Sequence, residues 1–343
     1  MILRPIGKSF IICLLLPAAI SCNSSATLHE FKIDGHAQGT TYAIKFYAVD
    51  SLQVTKPMVE ALLDSLNESL SLYKDGSLIN RFNASDRGVK MDEMLRTVVT
   101  RAMEITKDSK GFSDITVQPL VAFWGFGAKR IETEPDTTQL PEILKCTGAD
   151  LIYIKRDSLL KKKPCVKIDL NGIAQGYSVD RIAAMIERHG IENYIVEVGG
   201  EIRVKGKKKP SGRMMEIGIE SPADFEDDEI VLKKIITADK GAVTTSGNFH
   251  KYYESHGKII THLIDPHTGR SISNELISVT IYAPDAMTAD GYDHALMGMG
   301  MKQGLEFAEK NPLLDAYFIY SKADGTIADT ATTGFYQLFK KEK

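Results

Sequence analysis

Apolar residues recur along this chain at two periods, and the alternation between them lays out most of its elements. Val59, Leu62, Leu63, Leu66 and Leu70 follow Pro57 at helical spacing, as do Met94, Leu95, Val98, Val99, Ala102 and Ile105 ahead of Gly111. Phe31 to Phe46 alternates instead and contains Gln38-Gly39-Thr40-Thr41-Tyr42, which predicts a strand pair around a glycine kink. Val166, Ile168 and Leu170 alternate with Lys167 and Asp169 as in a strand buried on one face. Asn171-Gly172 breaks that strand, and Ile173, Ile182, Ala183 and Ile186 continue at near-helical spacing to Gly190, placed for a left-handed cap. The stretch Lys167 to Asp180 thus sets small residues and a carboxylate at a helix N-terminus. That suits an anionic group and its metal counter-ion, and equally an ordinary strand-to-helix connection.

Further along, Tyr194 to Val198 reads as a buried strand ending in Gly199-Gly200, with short strands through Ile219 and an acidic loop at Asp224 to Glu229. Thr261 to Gly269 runs a strand directly into a turn, and Ser278 to Tyr282 is another strand. Ala286 to Met299 and 301 to 310 read as helices, Ala316 to Tyr320 as a strand, and Phe335 to Phe339 closes the chain. Residues Glu132 to Pro141, polar with two prolines, predict a surface loop. No repeat or linker divides the chain.

Composition narrows the class. The 343 residues are 43% hydrophobic and 25% charged, ordinary for one large or two moderate globular domains. A net charge of -3 gives no field for nucleic acid, and the lysines at 161 to 163 and 207 to 209 are short surface runs. The N-terminus carries Arg4 and Lys8, the apolar run Phe10 to Leu16, and small residues up to Ser21-Cys22. This is an export signal, too short to span a bilayer. Ala19-Ile20-Ser21-Cys22 resembles the lipobox of bacterial lipoproteins, so residues 1–21 are expected to leave, Cys22 to carry lipid, and 22–30 to tether a domain of residues 31–343 outside the cytoplasm. Cys146 and Cys165 then remain, and either a disulfide or two separate buried thiols is open.

Two groups carry chemistry. Asp290, Asp293 and His294 stand at i, i+3 and i+4, so their side chains share a helix face where a hard cation could sit, or where acids merely face the helix N-terminus. His262 and Asp265 end a strand as a base and its orienter, or as turn chemistry in Asp-Pro-His-Thr-Gly. No phosphate loop, dinucleotide fingerprint or nucleophile elbow is present.

Several motifs in series resemble the FAD:protein FMN transferase family, the ApbE-like flavin transferases, across nearly the whole mature chain. They are Gln38-Gly39-Thr40, Leu70-Ser71-Leu72-Tyr73, Asp114 to Leu120, Trp124-Gly125-Phe126-Gly127, Lys167 to Leu170, Thr245-Ser246-Gly247 and His262 to Gly269. The resemblance implies one α+β domain of the T-fold kind, with mixed sheets and packed helices. It implies magnesium-dependent transfer of FMN from FAD to a Thr or Ser hydroxyl, releasing AMP, with exported flavoproteins or subunits of membrane redox complexes as acceptors. Carried over by position, FAD would meet Gln38, Tyr73, Phe112, Ser113, Asp114, Asp169, Gln175 and Ile264. The metal would meet the Gly172 carbonyl, Asp290, Asp293 and His294. His262, assisted by Asp265, would activate the hydroxyl. Gln38, Gln175 and His294 depart from the family pattern, which has Met, Lys or Glu, and Thr there. A metal-dependent FAD pyrophosphatase and a non-catalytic flavin-binding lipoprotein are the alternatives.

Overall fold

The computed structural model describes residues 27–127, 133–222, 230–248, 252–255 and 258–340. The predicted export signal, Cys22 and the acidic loop at 224–229 lie outside them. The alternation from Phe31 becomes a hairpin of β1 (His29–Ala37) and β2 (Thr40–Ala48), with Ala37 opposite Thr40. Its two loop residues, Gln38 and Gly39, have φ of 53° and 77°. Two successive positive φ values are what a tight hairpin requires, because they match the twist of the strands.

The main sheet continues with β3 (Tyr194–Val198), β4 (Glu201–Lys205), β5 (Lys240–Gly247), β6 (Leu276–Ala283), β7 (Asp315–Ser321) and β8 (Ile327–Ala331). Its eight strands lie in chain order, β1 to β8, with every neighbouring pair antiparallel. Successive side chains point to opposite faces of a strand, so the sheet has two coats. On one face Ile44, Phe46, Val196, Val198, Val279, Ile281 and Phe318 join the principal core. There α3 (Ala174–Arg188) and α4 (Ala286–Lys310) lie on the sheet, and α1 (Lys56–Leu70) and α2 (Glu93–Asp108) pack against them. The buried faces of α1 and α2 are those predicted: Val59, Leu63, Leu66 and Leu70, then Leu95, Val98, Val99, Ala102 and Ile105. Each such side chain contributes roughly 1.5–3 kcal/mol. On the other face Tyr47, Val204, Tyr317 and Ile319 meet a separate hairpin (Met215–Pro222 with Ile230–Ala238) and Phe335 of the short C-terminal helix Thr333–Tyr336. The result is the α+β class expected.

Three local expectations change. Val166, Ile168 and Leu170 are buried as predicted, but the segment pairs with no strand. Its backbone is satisfied by a side chain and a turn: Ile168 N donates to Asn83 Oδ1, Asn83 Nδ2 donates to the Ile168 carbonyl, and Asp169 N donates to the Ile115 carbonyl. Period-two burial reports an extended chain against a core, and a ladder is only one way to complete it. The loop expected up to Pro141 ends earlier, because Pro141 opens the short helix Leu140–Leu144, a position where a missing N–H is harmless. The helices read at 286–299 and 301–310 form one element interrupted at Gly300, with φ 76° and ψ 169°. Asn274 Nδ2 donates to the Met297 carbonyl before the break, and Met301 N donates to Glu275 Oε1 after it.

Cys146 and Cys165 are disulfide-bonded, with their Cα atoms 5.6 Å apart. A third apolar cluster of Leu120, Trp124, Leu140, Tyr253, Ile260 and Ile264 packs beside the principal core. Trp124 Nε1 donates to the Gly269 carbonyl at 2.6 Å, tying this cluster to the turn after His262.

Candidate active site

The site begins where α3 starts. Its N-cap, Ile173, has no side chain to offer the exposed backbone N–H groups. Asp290, in the second turn of α4, supplies the missing acceptor: Gly176 N donates to its Oδ2 at 2.7 Å. The two helices come this close because residue 176 is glycine. A Cβ there would stand 2.3 Å from the Ala286 carbonyl oxygen and 2.7 Å from the Asp290 Cβ. Asp290 and Asp293 are 2% and 3% exposed. Burial, then the neighbouring Asp293, pushes the Asp290 carboxyl well above the usual carboxylate range.

His294 completes this corner. Its Nδ1 lies 2.5 Å from Asp293 Oδ1, and its ring faces Gly172, where a Cβ would come within 3.1 Å of it. Burial opposes charging of the imidazole, but Asp293, Asp290 and Asp169 outweigh it and raise His294 to about 9. Its Nδ1 is thereby engaged with Asp293. The four predicted metal ligands, Asp290, Asp293, His294 and the Gly172 turn, thus meet at one corner, three of them offering oxygen. Among the described residues no three His, Cys, Asp or Glu side chains already stand as a metal cage.

Above the corner opens a cleft of about 430 Å³, within the range of small-molecule sites. Its walls bring together every predicted flavin contact: Gln38, Tyr73, Phe112, Ser113, Asp114, Asp169, Gln175 and Ile264, with His262, Gly172 and His294. Gln38, at the β1–β2 turn, donates from Nε2 to Ser178 Oγ at 2.8 Å. Gln175 Nε2 reaches the Val198 carbonyl at 3.4 Å, so this departure from the family pattern sits against the end of β3. Tyr73 is 68% exposed, an aromatic ring standing at the mouth. The Phe112 ring meets His267 edge-on at 5.0 Å. His262 faces His294 across 6.3 Å with the rings nearly perpendicular.

Two predicted side chains have structural work as well. Asp114 is buried and caps a short turn: Oδ1 accepts from Thr116 N and Oγ1, and Oδ2 accepts from Ala149 N. Burial raises its pKa against the pull of those bonds. Asp265 is expected to assist His262, and its carboxylate also holds its own turn. Oδ1 accepts from His267 N and faces His267 Nδ1, and Oδ2 accepts from Thr268 Oγ1. His262 stands on the cleft wall, and Asp265 is not among the residues that line it.

Sequence reasoning passed over Glu201. It is paired with Val198 across the β3–β4 turn, and its Oε2 has neither accessible surface nor a hydrogen-bond partner. Burial, then Asp290, raises its pKa well above the carboxylate range. The signal in the sequence was an acid directly after Gly199-Gly200, at the end of a strand read as buried. Crowded, oxygen-rich and partly unpartnered acids fit a hard divalent cation, which would meet Asp290, Asp293 and the Gly172 turn.

Comparison with known proteins agrees with this geometry. The model of the ApbE family matches residues 38–318. The chain is 34% identical to the FAD:protein FMN transferase of Haemophilus influenzae, over 94% of this chain and 96% of that protein. It is 35% identical to the FAD:protein FMN transferase of Vibrio cholerae, over 91% and 93%. Among solved structures, the flavin transferase ApbE from Vibrio cholerae superposes with a TM-score of 0.82 at 34% identity, covering 91% of this chain and 99% of that one. The apo flavinyl transferase ApbE from Pseudomonas stutzeri gives 0.82 at 32% identity, covering 92% and 99%.

Proposed function

The chain belongs to the ApbE family, and from that premise we propose that it is a FAD:protein FMN transferase, moving FMN from FAD to a Thr or Ser hydroxyl of an acceptor protein. The observation that carries this reading is the single cleft in which Tyr73, Phe112, Asp169, Gln175 and Ile264, from separate segments, meet His262, Gly172 and His294. The aromatic and apolar wall of Tyr73, Phe112 and Ile264 suits a flat ring system, and the corner at Gly172 suits the diphosphate.

The bond to be made joins the acceptor oxygen to the FMN-side phosphorus, and the bond to be broken joins that phosphorus to the oxygen that leaves with AMP. Such transfers need positioning and charge stabilisation more than covalent help. A magnesium ion held by Asp290, Asp293 and the Gly172 carbonyl would neutralise charge on the diphosphate. His262, on the cleft wall facing His294, would accept the hydroxyl proton as the acceptor oxygen attacks. Asp265 keeps the turn beyond His262 in shape.

Incubation of the protein with FAD, magnesium and an acceptor domain should add the mass of covalently bound FMN. An acceptor left unmodified while FAD binds normally would overturn the transferase reading. Chromatography of the same mixture without acceptor separates hydrolysis from transfer, since a pyrophosphatase would release free FMN and AMP.

The proposed location is the cell envelope, with the domain tethered through lipid on Cys22. The Cys146–Cys165 disulfide supports an oxidising compartment. Cys22→Ser should release the protein from membranes on fractionation, and retention there would refute the anchor.

A further inference from the structure

The acids of α4 face a sheet whose nearest polar groups have no role in the reading above. In the β4–β5 register Val243 lies opposite Ile202, so one step further sets Thr244 opposite Glu201. Cross-strand neighbours share a face. For Glu201 that face is the helix side, because its partner across the β3–β4 turn is Val198, a residue of the principal core. Arg203, two residues along β4, also points there and pairs with Asp180 of α3. The helix α4, which bears Asp290 and Asp293 near its start, packs on this face against β5 and β4.

Two buried oxygens at this place have no hydrogen-bond partner: Glu201 Oε2 and Thr244 Oγ1. Neighbouring acids at α3 and at the start of α4 have found donors. Asp180 holds Arg203 and the Ala286 and Met287 N–H groups, and Asp285 caps Thr288 N. A buried carboxylate without a donor is costly unless a cation meets it. Asp290 and Asp293 are the charged groups that act on Glu201 from α4, both unfavourably.

We propose that Glu201 is the sheet-side wall of the divalent-cation site, facing the ion opposite Asp290 and Asp293, directly or through one of the ion's waters, with Thr244 Oγ1 as a further oxygen beside it. Magnesium keeps several waters when bound to carboxylates, so an acid one layer away still holds the ion through them. The assignment rests on the metal-dependent reading of this site but not on the transfer reaction. It makes Glu201 a positioning residue: it acts through the ion rather than on the flavin.

The test uses the whole chain and manganese alone as the probe, without FAD or acceptor. Glu201→Gln and Glu201→Leu are compared with wild type by manganese titration followed by electron paramagnetic resonance, and by thermal unfolding with and without the ion. Both variants should fold. Metal-free unfolding should stay at or above the wild-type midpoint, because an acid facing acids has been removed. Manganese affinity should fall at least tenfold, and the metal-induced rise in midpoint should shrink with it. Wild-type manganese affinity in either folded variant would overturn the proposal. So would failure of both to fold, since a side chain directed at the ion is not what holds the metal-free structure. Wild type that binds no manganese overturns it too. A protein that binds manganese through Glu201 yet transfers no FMN would break the function reading and leave this one standing.

Discussion

Acids in this molecule are used in two ways, and the difference separates its scaffold from its candidate chemistry. In the turns and helix starts around the cleft, Asp114, Asp180 and Asp265 each have both oxygens held by nearby N–H, hydroxyl or guanidinium donors. At the α3–α4 crossing, Asp290 has one backbone donor, Asp293 has His294, and Glu201 Oε2 has none. Asp114 is 8% exposed, close to Asp290 and Asp293 at 2% and 3%, so burial alone does not tell the two groups apart. Donor supply does. A carboxylate that the chain has fully satisfied shapes backbone, whereas one left short of donors in a buried corner awaits something the chain does not supply.

The sharpest way to break this contrast is Asp290→Ala. A cation at a transferring phosphoryl group is worth several kcal/mol, so FMN transfer should fall ~10³-fold or more. Stability should change by only about 1 kcal/mol, because loss of the contact to Gly176 N is offset by relief of repulsion from Asp293 and Glu201. Transfer assays beside urea unfolding measure both, and an active variant would remove Asp290 from the metal site. The reverse pattern is expected for Asp180→Ala. Its partner Arg203 is partly exposed, which screens the pair, so the loss should be about 2–4 kcal/mol of stability. A change in urea midpoint equivalent to less than 0.5 kcal/mol, on the ~1 kcal/mol scale of ordinary substitutions, would contradict the scaffold role.

His262→Ala asks whether the cleft wall carries proton transfer. FMN transfer should drop ~10²-fold, the lower end of what a general base contributes, with FAD binding nearly unchanged by fluorescence titration. Loss of binding with no separate loss of turnover would make His262 a wall residue alone. Cys146→Ser with Cys165→Ser probes the satisfied side, since the Ala149 N–H that holds Asp114 lies three residues beyond Cys146. Closing this short loop restrains the unfolded chain, so the double variant should lose about 2 kcal/mol in chemical denaturation. Equal stability would show that the hydrogen bonds alone hold that wall.

How far these roles could be read in the sequence follows from the same contrast. Helical faces such as Leu63-Leu66-Leu70 and Val98-Val99-Ala102 were legible because burial repeats with the helix, and Gly111 and Gly190 marked the ends. The strand read at Val166 to Leu170 was not a strand, because Asn83, more than eighty residues away, satisfies its backbone. Asp290 and Asp293 were visible through their spacing on one helix. Glu201 was hidden: it reaches the same corner from a different element through the β3–β4 turn and the packing of α4 on the sheet, and no local spacing encodes that meeting. Asp265 reads two ways, because beside a histidine and a proline a turn-holding carboxylate looks like a catalytic one.

That last ambiguity is also the smallest effect worth measuring. Asp265 accepts from His267 N and Thr268 Oγ1, and its backbone N donates to the Arg270 carbonyl while Gly269 N donates back to it. Asn keeps one acceptor oxygen at the position of Oδ1 and puts a donor in place of Oδ2, so the Thr268 hydroxyl loses its charged acceptor and must turn to accept instead. Asp265→Asn should therefore cost about 1 kcal/mol, the net worth of one hydrogen bond, and leave FMN transfer within a few-fold of wild type, since the turn keeps its backbone bonds and His262 its place. Both are read from the same preparation by urea unfolding and by transfer at saturating FAD. Were transfer to collapse ~10²-fold at wild-type stability, the charge and not the turn would be what the reaction uses. Asp265 would then move from the satisfied group to the working one, and donor supply would no longer distinguish the two.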